Sequence, residues 1–143
     1  MIKKIVTDRK KLSKKCGKCF FLELDIFRNN GIINDMIDTA KSDKTCVGLA
    51  SNQIGYDRRI ILVKNETGFT AMVNPRIFCK TGGIKKGIET CLSFPGLKPK
   101  VRRYRRIKVE YQEVTGRTNW VEFYEDYARI VQHEIDHLNG KLI

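Results

Sequence analysis

Both histidines of this 143-residue chain stand in one six-residue stretch, Gln132-His133-Glu134-Ile135-Asp136-His137. The H-E-x-x-H spacing constrains the fold more than any other feature, because two imidazoles four residues apart come within reach of one ion when they stack on one face of an α-helix. On that face they can grip one divalent cation while the intervening glutamate turns toward the water it carries. Histidines on helices are often ordinary core or surface residues. Here that reading requires both of them, and Glu134, to fall into ligand spacing by accident. The surrounding residues suit a buried helix over roughly 124–139: Tyr127, Ile130, Val131 and Leu138 form an apolar face, Glu125 and Asp126 fall in the first turn, and Asn139-Gly140 supplies a stop.

A catalytic metal held in this way takes three protein ligands and leaves a fourth position for water. With no third histidine in the chain, the remaining ligand is a carboxylate or a cysteine. Among Cys16, Cys19, Cys46, Cys79 and Cys91, the last lies in Glu89-Thr90-Cys91-Leu92-Ser93-Phe94-Pro95-Gly96, a short segment whose Pro-Gly break can hold a thiolate against the helix. Upstream, Gly48-Leu49-Ala50-Ser51-Asn52-Gln53-Ile54-Gly55 is small and polar in the middle of an apolar stretch. Three islands in one order, G-L-A-x-x-Q, E-x-C-L-S and Q-H-E-x-D-H, are far more specific together than singly.

In these islands the chain resembles the peptide deformylases, and the similarity extends to Met36-Ile37-Asp38-Thr39, Asn74-Pro75 and His137-Leu138-Asn139-Gly140. It covers roughly residues 30–143 and leaves the first 28 or so poorly matched. The resemblance implies an α+β fold, antiparallel β-sheets packed around a central C-terminal helix that carries H-E-x-x-H. It implies removal of the N-formyl group from the initiator formyl-methionine of nascent polypeptides, with release of formate. The ligands it assigns are Cys91, His133 and His137, around one divalent ion. That ion is Fe2+ by family resemblance, although a Cys/His/His set alone suggests Zn2+ as readily. Glu134 is then the general base, and Gln53 and the backbone N–H of Leu92 are donors to the oxyanion. Val47, Gly48 and Thr90 would capture the substrate as an added strand through their main chains. Glu89 reads either as a groove residue or as an arginine partner. Asp136 reads either as an orienting group behind a ligand or as an exposed helix carboxylate.

Two departures from the family pattern bear on efficiency. Thr90 stands where glycine is usual, which adds bulk beside the groove and excludes a cheap positive φ. Ser51-Asn52 replaces the more usual Ala-Pro and is expected to loosen the loop that aims Gln53. All ligands and catalytic side chains remain, so an active enzyme of altered efficiency is expected rather than an impaired homologue.

Periodicity gives the rest of the α+β pattern. Ile32, Ile33, Met36, Ile37 and Ala40 predict a helix over roughly 31–43, with Asn29 and Asn30 as caps. Arg59–Val63, Phe69–Val73 and Ile77–Cys79 read as strands, and Ile107–Gln112 forms a hairpin with Trp120–Phe123. The length suits one domain over residues 1–143. No stretch predicts a membrane span or a secretory signal, and five irregularly spaced cysteines argue for reduced thiols, so a cytoplasmic protein is expected. Cys16 and Cys19 lack the second close pair of a structural zinc site and read as incidental thiols. Cys46 and Cys79 read as small core residues.

Charge supplies a second argument. The formal net charge is +12, and much of it lies in Lys98–Lys108 and in Lys10–Lys18. Such a balance favours RNA or the ribosome as a partner, or else a solvated basic face, since no stacking-aromatic motif accompanies the charges in sequence. Two further readings compete with a deformylase: a zinc peptidase acting on internal bonds, and an RNA-binding protein with a structural metal. Cys91 and Gln53 argue against the first, and a set of only three ligands argues against the second.

Overall fold

The computed structural model describes residues 1–143. Asp8 starts a short helix, α1 (Arg9–Leu12), by accepting from the backbone N–H groups of Lys10 and Lys11. The next helix, α2 (Glu23–Lys41), begins eight residues before the periodicity predicts. Its early turns place Glu23 and Asp25 at the positive end of the helix dipole. Leu24 and Phe27 are exposed there, so no apolar stripe marks those turns in the sequence. Asn29 is consequently not a cap. It is buried in the helix and donates from Nδ2 to the Phe20 carbonyl at 3.0 Å.

Five strands follow in chain order within a single antiparallel sheet: β1 (Gly48–Ala50), β2 (Ile60–Asn65), β3 (Gly68–Ile88), β4 (Lys100–Gln112) and β5 (Thr118–Tyr124). The run Ile60-Ile61-Leu62-Val63 is continuously apolar because β2 is covered on both faces. Ile60 and Leu62 pack with Ile32, Ile33 and Met36 of α2, while Ile61 and Val63 pack with Val131, Ile135 and Leu138 of the last helix, α3 (Glu125–Leu138). Each such side chain contributes about 1.5–3 kcal/mol by leaving water.

The strands expected at Phe69–Val73 and Ile77–Cys79 are one strand, β3, whose register shifts between Val73 and Arg76. Pro75 sits in that irregularity, where its missing N–H costs no ladder bond, and Asn74 before it adopts a φ of 49°. The hairpin partner β4 starts at Lys100, so the basic run is mostly strand. The segment ahead of α2 wraps the far end of the sheet. Val6 N–H donates to the Gln53 carbonyl at 2.7 Å and Cys16 N–H to the Leu138 carbonyl at 2.8 Å. Gly140, with a φ of 74°, passes so near this segment that a Cβ there would lie 2.3 Å from the Ser13 carbonyl oxygen. Cys16, Cys19 and Cys46 are buried, and burial pushes each of these thiols up to about 11. Cys79 is only half-buried and does not join either core cluster. No helix is long and apolar enough to cross a membrane.

Candidate metal centre and active site

The i, i+4 spacing on α3 turns His133 and His137 to one face, and the turn that follows β3 delivers Cys91 to them. Their Nε2 atoms stand 3.1 Å apart, and Cys91 Sγ lies 3.3 Å from His137 Nε2. One donor atom from each of the three residues falls within 4.8 Å of the other two, and all three residues are buried. A tetrahedral ion at ordinary Zn–S and Zn–N distances requires ligand–ligand edges of about 3.3–3.6 Å. The donor set and its spacing therefore fit one divalent cation. Burial disfavours a charged His133, but the hydrogen bonds it donates to Cys91 and Glu89 outweigh it and hold the imidazole up at about 10. Burial and the neighbouring charge of His133 push His137 down to about 3. A cation bound between the two imidazoles would displace the proton from His133 Nε2, so its binding should strengthen as pH rises.

Glu89 is an arginine partner, and it also lines a smaller cavity beside Val47, Thr90 and Glu134. Its carboxylate is 5 % exposed. It accepts two hydrogen bonds of 2.8 Å from Arg103 and one of 2.9 Å from Arg129, and it meets His133 Nδ1 at 2.8 Å. Burial raises its pKa, yet these partners prevail and hold the group down at about 2. A permanent carboxylate on Nδ1 makes that nitrogen the N–H and leaves the Nε2 lone pair for a metal. Asp136 contacts Arg103 and so stands one step further behind the same ligand. Arg103 is therefore buried structural charge within the basic run. Arg129 comes from α3 itself and reaches across Gly87, where an added Cβ would lie 2.9 Å from its guanidinium carbon. Sequence reading missed both arginines. Arg103 is hidden among like charges, while Arg129 stands one helical turn before His133, a spacing that does signal a shared face.

Gln53 is 2 % exposed, and its amide orientation is fixed by its neighbours. Oε1 accepts from Ala50 N–H at 2.9 Å, which leaves Nε2 to donate toward Cys91 Sγ at 3.3 Å and Ser93 Oγ at 3.2 Å. The loop that holds it is a 3₁₀ turn over Ser51–Ile54, with both departing side chains hydrogen-bonded. Ser51 Oγ donates to the Arg58 carbonyl, and Asn52 Nδ2 donates to the His137 carbonyl at 2.8 Å. These side-chain bonds tie the turn to the segment before β2 and to the end of α3.

A cavity of about 330 Å³ opens over these groups. Val47, Gly48, Gln53, Thr90, Cys91, Leu92, His133 and Glu134 all line it, and Ile5 joins them from the N-terminal segment. Glu89 lies behind this cavity and not in its lining. Glu134 is buried with Oε2 lacking any hydrogen-bond partner, and burial pushes its carboxyl up to about 7 despite the nearby charge of His133. The backbone N–H of Leu92 makes no backbone hydrogen bond and is free as a donor. Strand β1 pairs with β2 on one side only and is an edge of the sheet, so its other side is open to an extended chain. Thr90 is exposed beside it but does not adopt a positive φ, so only its bulk departs from the family pattern.

Gly48 leaves room for the Glu134 carboxylate. A Cβ at this position would lie 2.8 Å from Glu134 Oε1 and 2.9 Å from Ile130 Cγ2. Gly48→Ala is expected to lower kcat by about tenfold by displacing the carboxylate, while metal content measured by atomic absorption stays at the wild-type level. An unchanged kcat would show that Glu134 has room to move aside.

Known proteins share this fold. The family model described as polypeptide deformylase matches residues 2–143, which takes in the N-terminal segment that the motifs alone leave unassigned. The peptide deformylase of Thermoanaerobacter pseudethanolicus is 40% identical over 111 residues, 78% of this chain and 69% of that protein. Among solved structures, the peptide deformylase of Thermotoga maritima is 32% identical, with a TM-score of 0.88 over 99% of this chain and 95% of that one. The Met-Ala-Ser-bound class I type b peptide deformylase of Acinetobacter baumannii is 27% identical, with a TM-score of 0.88 over 99% and 97% of the two chains. By its sequence over nearly its whole length, and by the fold that brings the three islands around one cavity, the chain belongs to the polypeptide deformylase family.

Proposed function

We propose that this chain removes the formyl group from formyl-methionyl peptides with Cys91, His133 and His137 as metal ligands, Glu134 as general base, and Gln53 and Leu92 as oxyanion donors. The observation that carries this reading is the convergence of a three-residue donor set, an unpartnered buried carboxylate and an oriented amide on one open cavity. A peptide laid along the free edge of β1, between Val47-Gly48 and Thr90, would present its formyl end to these groups by main-chain pairing. The binding of Met-Ala-Ser by the Acinetobacter baumannii protein supports a methionine-first peptide as the occupant.

A divalent cation bound by the three ligands supplies Lewis acidity, which brings a water toward ionisation at neutral pH and polarises the formyl carbonyl. Glu134 takes a proton from the attacking water and passes it to the leaving amine as the C–N bond breaks. Formate and a free N-terminal amine are the products. Gln53 Nε2–H and Leu92 N–H donate to the carbonyl oxygen as negative charge develops there. Glu89 holds His133 in the ligating tautomer throughout. Ferrous iron and zinc both suit this donor set. Membership of the family supports newly made chains as substrates and the cytoplasm as their setting, and the net charge of +12 supports contact with the ribosome.

The test is formate release from formyl-Met-Ala-Ser by anaerobically purified protein, reconstituted separately with Fe2+ and Zn2+. Turnover with at least one ion is expected. Absence of formate with either ion, at full metal occupancy, would overturn the assignment.

Thr90 gives a second measurement. Thr90→Gly removes bulk beside the groove without touching the reacting groups, so KM should fall several-fold while kcat stays within about threefold. A tenfold rise in kcat at unchanged KM would instead show that Thr90 disturbs the oxyanion donors through Cys91 and Leu92.

A further inference from the structure

The face of the sheet turned away from α3 takes no part in the active site. Along β4 the odd positions Arg103, Ile107 and Val109 are buried, whereas Lys100, Arg102, Arg106 and Lys108 are exposed on the opposite side. Strand pairing sets Lys86 across from Arg102 and Tyr124 across from Arg106. Alternation along β5 puts Trp120 on the same side as Tyr124. Trp120 is 65 % exposed and Tyr124 is 49 % exposed, and the Arg106 guanidinium carbon lies 5.5 Å from the Tyr124 ring centre. Two acids share this face. Glu110 is paired with Arg76 at 3.2 Å, and Glu122 stands across from Lys108. The cations outnumber them.

We propose that this face is a docking surface for single-stranded RNA. Unpaired nucleotides need cations spaced along their phosphates and open aromatic faces for their bases. The sheet brings the two together from β3, β4 and β5, although the sequence keeps them apart. A duplex presents no free base faces, and its recognition would leave the exposed indole and phenol without a role. The proposal is independent of the deformylase reading, and it gives the basic charge a defined place.

Trp120 is the only tryptophan in the chain, so its emission reports contact at this face alone. A labelled 12-nucleotide single strand should bind the full-length metal-loaded protein with quenching of Trp120, and more weakly as salt rises. Replacing Lys86, Arg102 and Arg106 together by alanine should reduce the slope of log K against log salt by roughly 2, from three contacts at about 0.7 each. Trp120→Leu should weaken binding roughly tenfold at an unchanged slope, as loss of one stacked base does. Turnover of a short formyl peptide should be unchanged in both variants, which verifies the fold. Three results would overturn the proposal: no binding, an unchanged slope in the triple variant, or no response of Trp120. Equal binding of duplex RNA, or tighter binding to phosphatidylserine vesicles, would also overturn it, in favour of diffuse charge or a membrane surface. A free oligonucleotide decides these outcomes whether or not the enzyme sits on the ribosome.

Discussion

Glu134→Gln is expected to keep its metal and its fold while kcat for formyl-Met-Ala-Ser falls by roughly 100-fold or more. The substitution preserves volume in a position that is 5 % exposed. It removes the one property the reaction needs there, a lone pair that can hold a proton and release it. Oε2 has no hydrogen-bond partner, so the amide nitrogen that replaces one oxygen breaks no existing bond of that atom. Metal content and circular dichroism should match the wild type. Near-normal turnover in this variant would mean that another group moves the proton.

Cys91→Ala should produce the complementary loss. The thiolate is one of only three donors, and the two imidazoles that remain belong to a single helix. Metal content should fall to about a tenth of the wild-type value or less after dialysis, with activity falling in parallel. His137→Ala should behave in the same way. Full occupancy in both variants would exclude the assigned ligand set. Glu134→Gln and Cys91→Ala thus separate binding of the ion from use of it, which no measurement on the wild-type protein does.

The parts of the site that the sequence announces are those in which chemistry and spacing coincide within a few residues. His133, Glu134 and His137 occupy one helical face, and Cys91 and Gln53 stand in short segments of unusual composition. What supports them depends on pairing across long distances. Arg103 reaches Glu89 only because β4 lies antiparallel to β3, with Arg103 opposite Lys85. Nothing in Lys98–Lys108 marks one of its charges as the buried one except a period of two, and the neighbouring lysines and arginines conceal it. The start of α2 was illegible for the opposite reason, since its Leu24 and Phe27 are apolar but exposed and break the stripe that a reader follows. The interruption of β3 was overread, because Asn74-Pro75 looks like a turn and is accommodated as an irregularity in a continuing strand. Aromatic neighbours of the basic residues were absent from the sequence reading because Tyr124 meets Arg106 only through the β4–β5 register.

The order of the ligands along the chain governs when this protein comes to hold its ion. Cys91 precedes His137 by 46 residues. At roughly 5–20 residues per second, synthesis separates the two by about 2–9 s. Throughout that interval the thiol exists without the completed helix that shields it, and until Arg129 is made the end of β3 lacks the side chain that clamps it. The bond from Cys16 to the Leu138 carbonyl cannot form until later still. A site assembled from both β3's trailing turn and α3 therefore cannot close on an ion until the chain has been made through His137.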